Sequence, residues 1–177
     1  MPNYQFFETM GFTMLYSSYF AKPLESMNVS TLSYQSMYCA GSSNGSITIT
    51  ERFSADFLID GKSLLQALVE AGGGHSDFMG CFVKGFPDPS QKAIEKLMLK
   101  GDPDTERGRA LLYICPECGD IGCGAYSVRI KKTDSSYIWE DFAYENGYEG
   151  PHVIEGVGPF GFARDTYETA LNQAAAL

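Results

Sequence analysis

Three of the five cysteines in this chain fall in one short run, Cys115-Pro116-Glu117-Cys118-Gly119-Asp120-Ile121-Gly122-Cys123-Gly124. A Cys-Pro-x-Cys-Gly turn is the knuckle of zinc ribbons and rubredoxins. Proline and glycine let backbone N–H groups point at thiolate sulfur while both sulfurs reach one tetrahedral ion. Such knuckles come in pairs; here there is one, followed by Cys123 after four intervening residues. Cys115, Cys118 and Cys123 are therefore candidate ligands of a structural zinc ion, with Cys81, His75, His152 or Asp120 as candidates for the fourth place. A second reading is a tight strand-to-strand connection, in which Gly119, Gly122 and Gly124 supply backbone freedom and the cysteines pack as small hydrophobes. Redox chemistry at Cys115 and Cys118 is the weakest reading. A thioredoxin-type pair opens a helix whose N-terminus lowers the thiol pKa, and this pair leads through glycines into a strand.

Other chemical groupings are sparse. His75 follows three glycines and His152 follows a proline, so both belong to loops, and neither lies in a nucleophile or metalloprotease motif. Gly72-Gly73-Gly74 lacks the lysine of a phosphate loop and follows a helix instead of opening one. Glu140 and Asp141 are neighbours, so on a regular strand they face opposite ways and cannot share one substrate bond unless the strand is bulged. No catalytic set emerges.

The formal charge is -9, from 13 basic and 22 acidic side chains. Residues 1–133 contribute only -2, with 12 basic and 14 acidic residues, whereas 134–168 contribute -7, with eight acids and only Arg164. This argues against a protein built to grip phosphate backbones and points to a basic partner. Within the acidic segment, Glu140, Asp141, Tyr144, Glu145, Tyr148 and Glu149 combine aromatic anchor area with negative charge and form the candidate partner-binding surface. The alternative is that Trp139 and Phe142 are core residues on opposite strand faces, with Glu140 and Glu145 simply solvated.

The elements that would position these residues are those of an α+β fold, an antiparallel sheet with about three helices. Strands are expected near 31–40 and 46–53, joined through Asn44-Gly45 as a hairpin. Leu64, Leu65, Leu68 and Val69 stripe a helix over about 61–71, preceded by Asp60 and stopped by Gly72-Gly73-Gly74. A second helix is capped by Asp88, with Pro89 at its first position and Gln91 completing a capping box, and ends at Gly101. Strands at about 109–115, 124–132 and 137–144 make a C-terminal meander, the first of them an apolar run that reads as central. A glycine-rich link from Gly147 to Gly161 leads to a terminal helix with Asp165 and Glu168 as its capping box. The whole, 1–177, is one domain, with 1–29 an aromatic N-terminal extension and 30–177 the core.

No stretch approaches the roughly 20 apolar residues that span a bilayer, and the start Met1-Pro2-Asn3-Tyr4 lacks the pattern of a signal peptide. With an odd number of cysteines, the expectation is a cytoplasmic chain with reduced thiols or a metal site.

The cysteine run, with Tyr137-Ile138-Trp139-Glu140-Asp141-Phe142 after it and Gly158-Pro159-Phe160-Gly161-Phe162 before Tyr167 and Leu171, resembles a family of small uncharacterised bacterial proteins, sometimes loosely labelled oxidoreductases. The resemblance covers roughly 54–171 and implies no established activity. This sequence departs from it at Ala163, where such proteins place a helix-capping aspartate; Asp165 is the candidate to replace it.

Size, acidity and the lack of catalytic groups are shared with bacterial immunity proteins, which block a cognate toxin by covering the surface it uses. The first expectation is therefore a non-enzymatic immunity protein for a basic toxin, binding neither nucleic acid nor membrane. The alternatives are a zinc- or thiol-dependent enzyme built on the cysteine turn, or an adaptor that binds another protein.

Overall fold

A computed structural model describes residues 28–44, 47–74, 76–116, 119, 121–146 and 148–177. Most of the aromatic N-terminal extension lies outside them. The expected hairpin is present and longer than its signal: β1 (Leu32–Cys39) leads through β2 (Ser42–Asn44) and β3 (Ile47–Ile49) to β4 (Arg52–Ile59). β1 and β4 pair antiparallel from Leu32 opposite Ile59 to Cys39 opposite Arg52, while β2 and β3 form the tip with Asn44 opposite Ile47.

Asp60 does not cap a helix. Asp60 and Gly61 both have positive φ, 50° and 79°, and form the two-residue loop that puts Ile59 opposite Lys62 of β5 (Lys62–Ser63). An Asp-Gly pair tolerates that geometry where most residues would not. The cap is Ser63, whose hydroxyl accepts the Gln66 N–H at 3.1 Å at the start of α1 (Leu64–Gly72). Leu64, Leu65 and Leu68 enter the core, and Gly73 ends the helix in the left-handed region at φ 67°.

The second helix also begins differently from expectation. After the short β6 (Met79–Gly80), α2 (Pro87–Leu97) starts with Pro87 at its first position and Phe86 at the cap, without a side-chain capping bond. Asp88 sits in the first turn, where a negative charge suits the helix dipole. Gln91 reaches forward to Glu95 and not back to a cap.

The meander comes close to its expected bounds, with β7 (Ala110–Ile114), β8 (Ala125–Lys132) and β9 (Ser136–Glu145) in sequence. β7 is largely buried, but the strand in the middle of the sheet is β8, because β7 has only two-residue β6 on its other side. The glycine-rich link contains two strands, β10 (His152–Val153) and β11 (Phe160–Ala163), which both run along the outer side of β9. α3 (Arg164–Ala175) follows directly. Its cap residue is Ala163, with no side-chain capping bond, so Asp165 does not replace the missing aspartate and the Asp165–Glu168 box does not form. Glu168 instead accepts the Tyr137 hydroxyl at 2.9 Å and pairs with Arg164 at 3.2 Å.

The β1–β4–β5 sheet and the six-stranded sheet that holds β6 to β11 meet at Gly80. A Cβ there would fall 1.8 Å from the Ala55 carbonyl oxygen, and the Gly80 N–H donates to the Ser54 hydroxyl at 3.0 Å. Around this junction Phe57, Phe82, Tyr113, Trp139, Phe162 and Tyr167 fill the core with edge-to-face and stacked rings. Polar ends inside it are satisfied in chains: Trp139 Nε1–H donates to the Tyr167 hydroxyl at 2.9 Å, which donates to the Leu97 carbonyl at 2.8 Å.

Candidate functional site

The acidic, aromatic segment lies on β9 and the turn after it, and one irregularity decides where each side chain goes. Arg129 of β8 faces Glu140 and Ser127 faces Ala143, so Val128 alone opposes both Asp141 and Phe142. The extra residue is a β-bulge, with Asp141 in the left-handed region at φ 57°. The strand is thus bulged at the one place where two neighbouring carboxylates would otherwise be forced to opposite faces. The inserted residue also reverses the alternation after it. Trp139 and Phe142 therefore share a face, both fully buried with ring centroids 6.4 Å apart, which corrects the expectation that they lie on opposite faces.

The other face holds a charge cluster centred on Arg109, which is completely buried. Its Nε donates to the Ser127 hydroxyl at 2.9 Å and lies 3.3 Å from Glu145 Oε1, and its Nη1 donates to Asp141 Oδ2 at 2.9 Å. Nη2 donates to the Asp141 carbonyl, which the bulge takes out of the regular ladder. Ser127 in turn donates to the Glu145 carboxylate. A left-handed non-glycine residue costs roughly 1–2 kcal/mol, and Arg109 offsets it by binding both the backbone and the side chain of that residue. Arg129 adds a second contact to Asp141 at 3.2 Å from the surface. Burial pulls the Asp141 carboxyl upward, but hydrogen bonds from Arg129 and Arg109 and the charges of both outweigh it, leaving Asp141 below the ordinary carboxylate range.

The six expected surface residues consequently divide. Glu145 is 4 % exposed and bound to Arg109 and Ser127, so the expectation of a solvated acid at this position is corrected. Asp141 belongs to the same cluster. Glu140 pairs with Lys131 at 2.6 Å. Tyr144 leaves for the opposite face, against Tyr126 and Phe78. Only Tyr148, 92 % exposed, and the exposed Glu149 stand out from the molecule. The backbone N–H groups of both donate to the Asn146 side-chain oxygen, at 2.9 and 2.6 Å, which shapes the turn. With Asp104, Thr105, Glu106 and Arg107 from the loop before β7, this turn borders a shallow hollow of about 270 Å³.

Sequence reasoning missed Arg109 and Ser127. The available signal is an arginine placed directly before the apolar run Ala110–Ile114, since a cation at the start of a buried strand needs a carboxylate to meet it.

In the cysteine turn, Cys115 is half-buried and Cys123 is exposed at the end of a short 3₁₀ turn, Ile121–Cys123, while Cys118, Glu117 and Asp120 lie outside the described residues. His75 also lies outside them, and His152 is an exposed residue of β10. Burial pushes the Cys81 thiol up to about 12, with the Asp104 charge acting the same way, and burial raises Cys39 as well. Neither is disposed to form the thiolate that nucleophilic chemistry needs. Asp56 is buried too, accepting from the Tyr113 hydroxyl at 2.7 Å, Gln35 at 3.0 Å and the Leu65 N–H at 3.5 Å. Its bonds tie β4 to the start of α1.

Compared with protein families, with curated proteins and with solved structures, the chain matches none. Among the described residues no helix is long and apolar enough to cross a membrane.

Proposed function

We propose that the chain is a non-enzymatic binding protein of the bacterial immunity type, which blocks a basic toxin with the end of the molecule formed by the turn after β9 and the loop before β7. The observation that carries this reading is Tyr148, an aromatic side chain 92 % exposed beside the exposed Glu149. An aromatic ring held out in water by a shaped turn supplies the contact area on which protein interfaces depend. The charge offered locally is modest, because Asp104 is tied to Lys96 and Glu145 to Arg109, which leaves Glu106 and Glu149, the latter 3.9 Å from the His152 ring, against Arg107. Long-range steering then comes from the net charge of -9, and attachment from Tyr148.

The test is co-expression with any basic toxin candidate encoded beside this chain, scored by rescue of growth and by the affinity of the purified pair. Tyr148→Ala combined with Glu149→Lys should weaken binding at least about tenfold, equivalent to about 1.4 kcal/mol, with an unchanged urea midpoint. Failure to rescue growth or to form a complex removes the immunity reading. Full affinity in the double variant removes this surface.

A further inference from the structure

Only one side of β1 is paired. The Asp60 N–H donates to the Thr31 carbonyl at 2.9 Å, and Leu32 opposes Ile59, so the odd-numbered residues of β1 bond to β4. β4 agrees. Its own odd-numbered residues turn away from β1, with the Ala55 N–H on the Phe82 carbonyl and the Lys84 N–H on the Phe53 carbonyl, both at 2.9 Å. The even-numbered residues of β1 therefore direct their backbone groups outward. The first outward place, just before β1, is taken, since the Ser30 N–H donates to the Gly161 carbonyl of β11 at 2.7 Å. β11 then leaves the ladder as α3. Among the described residues no strand takes up the outward N–H and C=O groups of Leu32, Tyr34, Ser36 and Tyr38.

Proteins commonly guard such an edge with charge, proline or a bulge. β1 has none of these: it contains no charged residue and no proline, and its register with β4 runs unbroken from Leu32 to Cys39. Gln35, Ser36 and Tyr38 are exposed, Tyr38 by 55 %. Beside the start of the edge, α3 supplies a second wall. A hollow of about 250 Å³ lies between Leu32 and α3, with the buried Leu32 and Ala170 at its floor and the exposed Asp165, Thr166, Thr169 and Gln173 along its side. Asp165 is the one charged residue of this lining, and its neighbour Arg164 is engaged with Glu168 at 3.2 Å. A strand edge selects a ligand by its main chain, because its outward groups repeat every two residues, roughly 6.8 Å apart, as those of an extended peptide do. Asp165 adds a preference for a basic side chain on the α3 side, next to an apolar one above Leu32 and Ala170. We propose that the outer edge of β1 binds an extended peptide as an added strand, with α3 as its side wall and a basic side chain of the peptide at Asp165. This surface shares no residue with the turn at Tyr148 and stands whether or not the immunity reading holds.

The experiment pans the full chain against a displayed library of random nine-residue peptides, then measures affinity and amide hydrogen exchange with the strongest peptide recovered. Recovered peptides should share lysine or arginine at one position and apolar residues at alternate ones. Bound peptide should slow exchange at Tyr34, Ser36 and Tyr38 at least about tenfold and leave Ser33, Gln35 and Met37, already bonded to β4, unchanged. Ser36→Pro removes an outward N–H without breaking a bond to β4, and should weaken binding at least about tenfold. Asp165→Asn should weaken it about threefold and remove the preference for a basic residue. If Ser36→Pro fails to fold, Asp165→Asn and the exchange pattern decide alone. A library that yields no common pattern, or peptides that bind both variants at full affinity, would overturn the proposal. So would outward amides that are protected before any peptide is added. Protection that rises with protein concentration would assign the edge to a second copy, and protection independent of concentration would assign it to residues 1–27 of the same chain.

Discussion

Acids spaced four residues apart along one stretch, Asp141, Glu145 and Glu149, behave in opposite ways. Asp141 and Glu145 are drawn onto a buried arginine just before β7, while Glu149 and its neighbour Tyr148 are held in solvent. Counted along the chain they belong to one segment of charge -7. In the folded molecule four of the eight acids of that segment, Glu140, Asp141, Glu145 and Glu168, pair with Lys131, Arg109, Arg129 and Arg164. Three of those four cations come from the nearly balanced part of the sequence. Charge along a chain and charge presented to a partner are therefore different quantities, and the difference lies in sheet register.

The largest effect that would break this contrast is at its centre. Arg109→Leu leaves Glu145 buried without its cation, and removing one partner of a buried pair typically costs about 3–5 kcal/mol. That is a large share of the roughly 5–15 kcal/mol holding a typical domain. The urea midpoint should fall accordingly, and a loss below about 1 kcal/mol would mean that Arg109 does not hold the bulge.

Next in size is Glu145→Gln, which keeps a hydrogen-bonding side chain for Ser127 but removes the charge facing Arg109. A loss of about 1–3 kcal/mol in the same measurement is expected. Glu145→Lys should be worse, since it sets two cations side by side in a buried site. A lysine tolerated there without loss would show that Glu145 is as solvated as Glu149.

A smaller effect appears only in acid. Because the Asp141 pKa is depressed by its arginines, the unfolded chain takes up the proton first. The stability from this group is complete above its unfolded value of about 3.9 and is lost as pH falls through the lower folded value. Asp141→Asn, which still tolerates a left-handed conformation, should flatten the decline in thermal midpoint below about pH 4. Glu168, depressed by the Tyr137 hydrogen bond and by Arg164 in spite of its desolvation, should leave a remaining decline in that variant.

The smallest effect is expected at the turn. Tyr148→Ala with Glu149→Gln should change the unfolding free energy by no more than about 0.5 kcal/mol, as for other exposed sites without buried partners. Hydrogen-exchange protection at Ser127 and Ala143 should be unaltered. A larger loss would mean that the turn is part of the folded core and not a contact surface.

The elements were legible where local chemistry and packing agree. The hairpin, the three meander strands and the apolar stripes of the helices all follow from alternation and periodicity. Their ends were not, because Asp60, Asp88 and Asp165 each have the composition of a cap and a stronger competitor: a hairpin turn with Gly61, the preceding Pro87, and a helix that starts directly from β11. β10 and β11 were hidden because they are short and lie in a stretch rich in glycine and proline, and their pairing depends on the distant β9. The candidate surface was legible only in part. Tyr148 and Glu149 sit in a polar turn with nothing to bury them, whereas the burial of Glu145 depends on Arg109, 36 residues earlier in the chain, and no local pattern reports that distance.

The bulge at Asp141 also limits how this part of the chain can change length. Side chains on a strand alternate with a period of two, so one added or removed residue between Glu140 and Phe142 would exchange the faces of everything after it up to Glu145. Tyr144 would turn toward Arg109, and Glu145 toward Tyr126 and Phe78. A change of two residues would preserve the alternation. Along this stretch the molecule is consequently sensitive to the parity of an insertion or deletion more than to its size. The charge cluster and the packing of Tyr144 on Tyr126 and Phe78, although on opposite faces, would be lost to the same single-residue event.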